Sequence, residues 1–188
     1  MVTLIKNSAK ITVQVAILSI VSFIIFAIAM GIFGDAGEFL VGSNPLFSGF
    51  IHSSMDHILF NLLLIFIFTL PSQNSSYNIR KIYWITFIIS CAYLPISLLG
   101  ITEYAVGISG TCYFLASRFF FSLKGNIIKR IVLFSIFGFL LLGEFINMTK
   151  PISDGVAHGV HFMGVLLGIL SLYIQPNLIP SKIRSVIL

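Results

Sequence analysis

Six apolar stretches constrain this chain more than any other feature. They lie at about residues 11–33, 52–70, 81–100, 107–123, 131–147 and 157–174 of 188. A helix needs about 20 apolar residues to cross the ~30 Å hydrocarbon core of a bilayer. Each stretch is close to that length. Turn-rich breaks separate them, such as Pro71-Ser72-Gln73-Asn74 and Lys124-Gly125-Asn126. A water-soluble fold is excluded by the balance of residues. Fifty-seven per cent are hydrophobic and 9% charged, against about 25% charged in soluble domains. The expectation is an all-α membrane protein, a bundle of six transmembrane helices forming one membrane domain over residues 1–188.

The charges set the orientation. With the N-terminus in the cytoplasm, Lys6, Lys10, Arg80, Lys81, Arg118, Lys124, Lys129, Arg130, Lys182 and Arg184 fall on or near the inner side. Only Lys150 falls outside. Asp35, Glu38, Asp56, Glu103, Glu144 and Asp154 all fall on the outer side. This is the asymmetry of the positive-inside rule. The cations come in ones and twos between apolar runs, so the net charge of +5 reads as topology, and no nucleic acid partner is expected. The same pattern and the compact size suggest a bacterial or archaeal plasma membrane. The first stretch outruns the 7–15 residues of a signal-peptide core, although Ala27-Ile28-Ala29 imitates a cleavage site. It is read as an uncleaved helix. Cys91 and Cys112 sit in apolar runs without metal-type spacing, so buried thiols are expected rather than a disulfide framework.

Polar groups inside a bilayer are costly unless partnered, which makes their positions informative. One cluster opens the second stretch: His52, Asp56, His57 and Asn61, with His57 and Asn61 on one helix face at i and i+4. A second opens the short fourth stretch: Gly107, Ser109 and Gly110, followed by Tyr113. A helix of that length covers only ~25 Å, so it is expected to begin below the outer surface. The third opens the sixth stretch: His158 and His161, then Gly164 and Gly168, a Gly-x3-Gly pair suited to close helix packing. Counting from Glu103 and Asp154, Ser109 and His161 lie at most ~10 Å along their helices. The three clusters can meet at one depth. A serine, a histidine and hydrogen-bond donors at one level are the components of acyl transfer.

In these motifs the sequence resembles the rhomboid protease family. The likeness rests on His52-x4-His57-x3-Asn61, on Gly107-x-Ser109-Gly110 and on His161-x2-Gly164-x3-Gly168, in this order, and it covers most of the chain. It implies that Ser109 is the nucleophile and His161 its general base. His57 and Asn61 would help form an oxyanion hole, and Tyr113 would pack against the base. The first loop lacks the Trp-Arg pair that many members carry. His52 is assigned to holding that loop, and His158 is read as a loop histidine. Gly107, Gly110, Gly164 and Gly168 support packing. By sequence no carboxylate stands ready to orient His161, so a two-residue dyad is expected. No catalytic role is assigned to Asp56.

The function so implied is a serine endopeptidase that cuts other proteins in or near their transmembrane segments. Its partners would be those substrates and the lipid bilayer. No metal or organic cofactor is implied. One alternative is a rhomboid-like protein that binds membrane clients without cutting them; such proteins typically lose the serine or histidine. Another is a transporter or metal carrier. His158 and His161 have ligand-compatible i, i+3 spacing, but His52 and His57 align poorly on one helix and no internal repeat is present. A zinc intramembrane protease is disfavoured by the lack of His-Glu-x-x-His.

Overall fold

The computed structural model describes residues 2–35, 44–46, 48–52, 55–70, 77–98, 107–122, 127–148 and 158–173. Among them are six α-helices and one 3-10 turn. They are α1 (Val2–Phe33), the turn Ser48–Phe50, α2 (Met55–Thr69), α3 (Ile79–Leu98), α4 (Ser109–Ser122), α5 (Ile127–Met148) and α6 (His158–Tyr173). Glu38, Glu103 and Asp154 lie outside the described residues, as do Lys124, Lys150, Lys182, Arg184 and the Pro71–Ser76 break. So do Ser53, Ser54 and residues 36–43 and 47 of the first loop.

Apolarity marks what sits in lipid; backbone hydrogen bonding marks what is helical. The two differ at the helix ends. α1 begins at Val2 and α5 at Ile127, several residues before their apolar stretches. Lys6, Lys10, Lys129 and Arg130 are good helix formers, so the helices run on through them. α2 begins at Met55, which leaves His52 outside the helix. α3 is capped by Asn78, whose Oδ1 accepts the Lys81 N–H at 3.0 Å.

Burial runs in stripes. On α1, Ser8, Ile11, Val15, Ser19 and Ser22 are buried at helical spacing, and α1 packs against α2. Its other faces expose Val13, Ile17, Ile20 and Phe23, side chains suited to lipid. The apolar segment Ile5–Phe33 is long and apolar enough to cross a membrane by itself, whereas those of α2, α5 and α6 are shorter.

The centre is α4. Ser109, Gly110, Thr111, Cys112, Phe114, Leu115, Ala116 and Ser117 are all buried. With 14 residues it rises about 21 Å, short of a full crossing. Its largest interface is with α6, and glycines make it. A Cβ on Gly164 would strike the backbone carbonyl of Gly110, and one on Gly168 would strike Ser117 and the Phe114 carbonyl. A Cβ on Gly110 would come within 2.6 Å of Val160 Cγ1 and 3.0 Å of Ile89 Cγ2. Small residues let the two backbones touch. Farther down, Arg118 donates from Nη1 to Ser171 Oγ at 2.8 Å.

α5 is attached differently. It contacts α6 and, less extensively, α4. Phe137 is its one fully buried apolar side chain among the described residues, and Phe139 is 77% exposed.

Candidate active site

Ser109 is the first residue of α4. The chain reaches it through Gly107, whose φ of +100° lies in the region that favours glycine. The Gly107 N–H donates to Ser48 O at 2.9 Å, tying this approach to the 3-10 turn. A side chain on Gly107 would also meet His57 Cε1 at 3.2 Å and His52 Cδ2 at 3.6 Å. The glycine thus places the two histidines directly over the entrance to α4. First-turn N–H groups of a helix have no acceptor within it, so Ser109 sits where backbone donors point outward.

One turn into α6, His161 faces Ser109. Its Nε2 lies 2.8 Å from Ser109 Oγ, and both residues are 6% exposed. The Tyr113 ring stacks on His161, centroids 4.4 Å apart and planes 14° apart. Tyr113 follows Ser109 by four residues, so both rise on one face of α4. The close Gly110–Gly164 contact sets the separation of α4 and α6 and hence the distance across this bond.

The sequence reading that no carboxylate stands ready for His161 is corrected here. Glu144, from the last turns of α5, brings Oε2 to 2.8 Å from His161 Nδ1. Its Oε2 is also 2.6 Å from His158 Nδ1, and its Oε1 accepts the Tyr113 hydroxyl at 2.6 Å. His158 is likewise corrected: it is the first residue of α6 and hydrogen-bonds Glu144, rather than standing in a loop. A signal for Glu144 was present, since an acid within an apolar membrane segment is a functional candidate by default. Its depth was legible; its lateral contact was not.

These bonds decide the chemistry of the ring. A carboxylate accepts only, so His161 Nδ1 carries the proton and donates it to Glu144. The Nε2 of the neutral ring is then an acceptor, and Ser109 O–H donates to it. That tautomer can take the serine proton.

His52, His57 and Asn61 form an adjoining cluster. His52 Nδ1–H donates to Phe50 O at 3.1 Å, and its Nε2 accepts from Asn61 Nδ2 at 3.1 Å. His52 therefore ties the segment after the 3-10 turn to α2. Asn61 is 1% exposed and lies behind His52. Cys112 Sγ approaches Asn61 O at 3.5 Å. His57 is half-buried, edge-on to His52 with ring centroids 5.2 Å apart. Asp56 is exposed in the first turn of α2, where the helix dipole favours an acid. Of the residues singled out by sequence, Ser109, His161 and Tyr113 meet directly. Gly110, Gly164 and Gly168 form the seam beneath them, and His52, His57, Asn61 and Gly107 form the roof beside Ser109.

The helical bundle and its apolar exterior define the class as an integral membrane protein. The chain belongs to the rhomboid family: the family model described as Rhomboid domain matches residues 43–177, which takes in the 3-10 turn and α2 to α6. No curated protein and no solved structure matches the chain.

Proposed function

We propose that this protein is an intramembrane serine endopeptidase that hydrolyses peptide bonds in or near the transmembrane segments of other membrane proteins. The 2.8 Å contact between Ser109 Oγ and His161 Nε2 carries this reading. It is supported by the family, whose members typically are proteases of this kind.

In this mechanism His161 Nε2 takes the Ser109 proton as the serine oxygen attacks the scissile carbonyl. The imidazolium then gives that proton to the leaving amine, and water hydrolyses the acyl-enzyme by the same route. Glu144 holds the ring in the working tautomer and stabilises its positive charge, so a serine–histidine pair with a supporting carboxylate replaces the bare dyad. The oxyanion meets the Ser109 backbone N–H and His57. Asn61, which the family resemblance assigns to the oxyanion hole, donates an amide N–H to His52 and supports the hole through that ring. The substrate helix must unwind locally, because its carbonyls are otherwise held in hydrogen bonds.

The contents of the helices support an orientation with the site facing out. α4 carries Ser109 at its start and Arg118 far along it; α5 carries Lys129 and Arg130 at its start and Glu144 near its end. Cations mark one end of the bundle and the site the other. With the cations inside, this reading has both termini in the cytoplasm and the site open to the outer face.

Labelling by a fluorophosphonate tests the assignment. The wild type in detergent should take up one probe, mapped by mass spectrometry to Ser109. Ser109→Ala and His161→Ala should take up none. A folded wild type inert to the probe and to several membrane substrates removes the protease reading and leaves client binding in its place.

A further inference from the structure

We propose that Glu144, His158 and His161 also form a binding site for a transition-metal dication, zinc above all, and that occupying it switches the enzyme off. The inhibition rests on the protease reading; the binding does not.

Two imidazoles and one carboxylate are a donor set that zinc takes readily, with a fourth position left to a solvent oxygen. The arrangement is convergent. Both histidines aim the same atom, Nδ1, at the same oxygen, Glu144 Oε2, at 2.6 and 2.8 Å. The three ligand atoms lie within 4.8 Å of one another. A zinc ion about 2.0–2.1 Å from each nitrogen can therefore take the place of the two shared protons with small side-chain movements.

The site is also held in advance. His158 and His161 are three residues apart on α6 and so are neighbours on one helix surface. The Tyr113 ring lies flat on His161, and its hydroxyl steadies the far oxygen of Glu144. The His158, Glu144 and His161 side chains are 10, 15 and 8% exposed, which gives an ion an approach without unfolding the bundle.

The consequence for Ser109 follows from proton counting. A neutral imidazole that binds metal through Nδ1 carries its proton on Nε2. On coordination the Nδ1 proton of His161 moves to Nε2, and His158 rearranges in the same way. No electron is transferred, and the ring stays neutral. His161 Nε2 then donates to Ser109 Oγ instead of accepting from it. The serine loses its base even where the two side chains stay in contact.

The test uses the full chain stripped of metal by chelator. Zinc chloride added to the wild type should lower cleavage of a transmembrane substrate at least about tenfold at saturation, and chelator should restore it. His158→Ala, which removes one ligand and leaves Ser109, His161 and Glu144 in place, should raise the zinc concentration for half-inhibition by at least about 10- to 100-fold, the loss that follows when even an outer-shell partner of a metal site is removed. Binding is read separately on Ser109→Ala, which keeps all three ligands. Cobalt(II) should bind it at one equivalent with visible absorption of a four-coordinate site, and Ser109→Ala/His158→Ala should lose that signal. Equal zinc inhibition of wild type and His158→Ala overturns the proposal, as does a folded Ser109→Ala protein that binds no cobalt. If His158→Ala fails to fold, the cobalt measurement on Ser109→Ala decides alone. If the metal-free wild type is inert, the protease reading fails, while cobalt binding still decides the site.

Discussion

The α4–α6 seam and the attachment of α5 hold neighbouring helices to the same site by opposite means. The seam is steric: Gly164 lies on the Gly110 carbonyl and Gly168 on Ser117, with no space for a Cβ. Among the described residues, α5 is held by one buried phenylalanine, by ring contacts such as Phe134 on Phe121, and by a carboxylate that accepts three hydrogen bonds. In lipid, where apolar side chains gain little by leaving the solvent, such close packing and such polar contacts are the available forces. The seam sets how far Ser109 is from His161. The α5 contact sets which nitrogen of His161 bears the proton. Damage to the first should remove the fold; damage to the second should remove the chemistry and leave the fold.

The largest effect is expected at the seam. Gly164→Leu forces the α4 and α6 backbones apart and should cost about 3 kcal/mol or more, at the upper end for overpacking. Thermal unfolding in detergent should show a much lower midpoint, with cleavage lost alongside. A Gly164→Leu protein as stable as the wild type would break the comparison. Next comes Glu144→Gln, which keeps the shape but no longer dictates the His161 tautomer. Activity should fall about 10²-fold, within the range for acid–base catalysis, while the unfolding midpoint stays near that of the wild type. Equal losses in stability and rate would make Glu144 a structural residue only. Tyr113→Phe is milder. It keeps the ring on His161 and removes one of three bonds to Glu144, so a loss of less than about tenfold is expected, roughly one hydrogen bond to a charged group partly offset by the remaining two. Michaelis parameters should place that loss in kcat. The smallest effect belongs to Gly138→Ala on α5. A Cβ there meets nothing within 4 Å, so the exchange should be neutral or stabilise the helix by up to about 1 kcal/mol. That glycine is the control for Gly164.

Much of this architecture could be read from the residues, and the limits of that reading are physical. Apolar runs reveal helices in a membrane because the bilayer demands both length and apolarity; they do not reveal helix ends, as Lys6 and Lys129 illustrate. Ser109 and His161 stand out because a polar group in an apolar run needs a partner. The Gly164 and Gly168 spacing identifies the face that packs closely. Glu144 shows what is missing. Its level along α5 was readable, but which neighbour it touches depends on how α5 rotates against α6, and one chain's periodicity does not contain that rotation. His158 is illegible for the same reason, its role being fixed by Glu144. Asn61 is an intermediate case: its face on α2 followed from spacing, whereas its bond to His52 depends on a segment outside the helix.

Cleavage in liposomes tests the central claim most directly. Wild type, Ser109→Ala and His161→Ala would each be reconstituted with a protein bearing one transmembrane segment, and the products read by mass spectrometry. The account predicts a cut in or next to that segment by the wild type and none by either variant. Cleavage that survives in Ser109→Ala, or a folded wild type that cuts nothing across several such substrates, would contradict it.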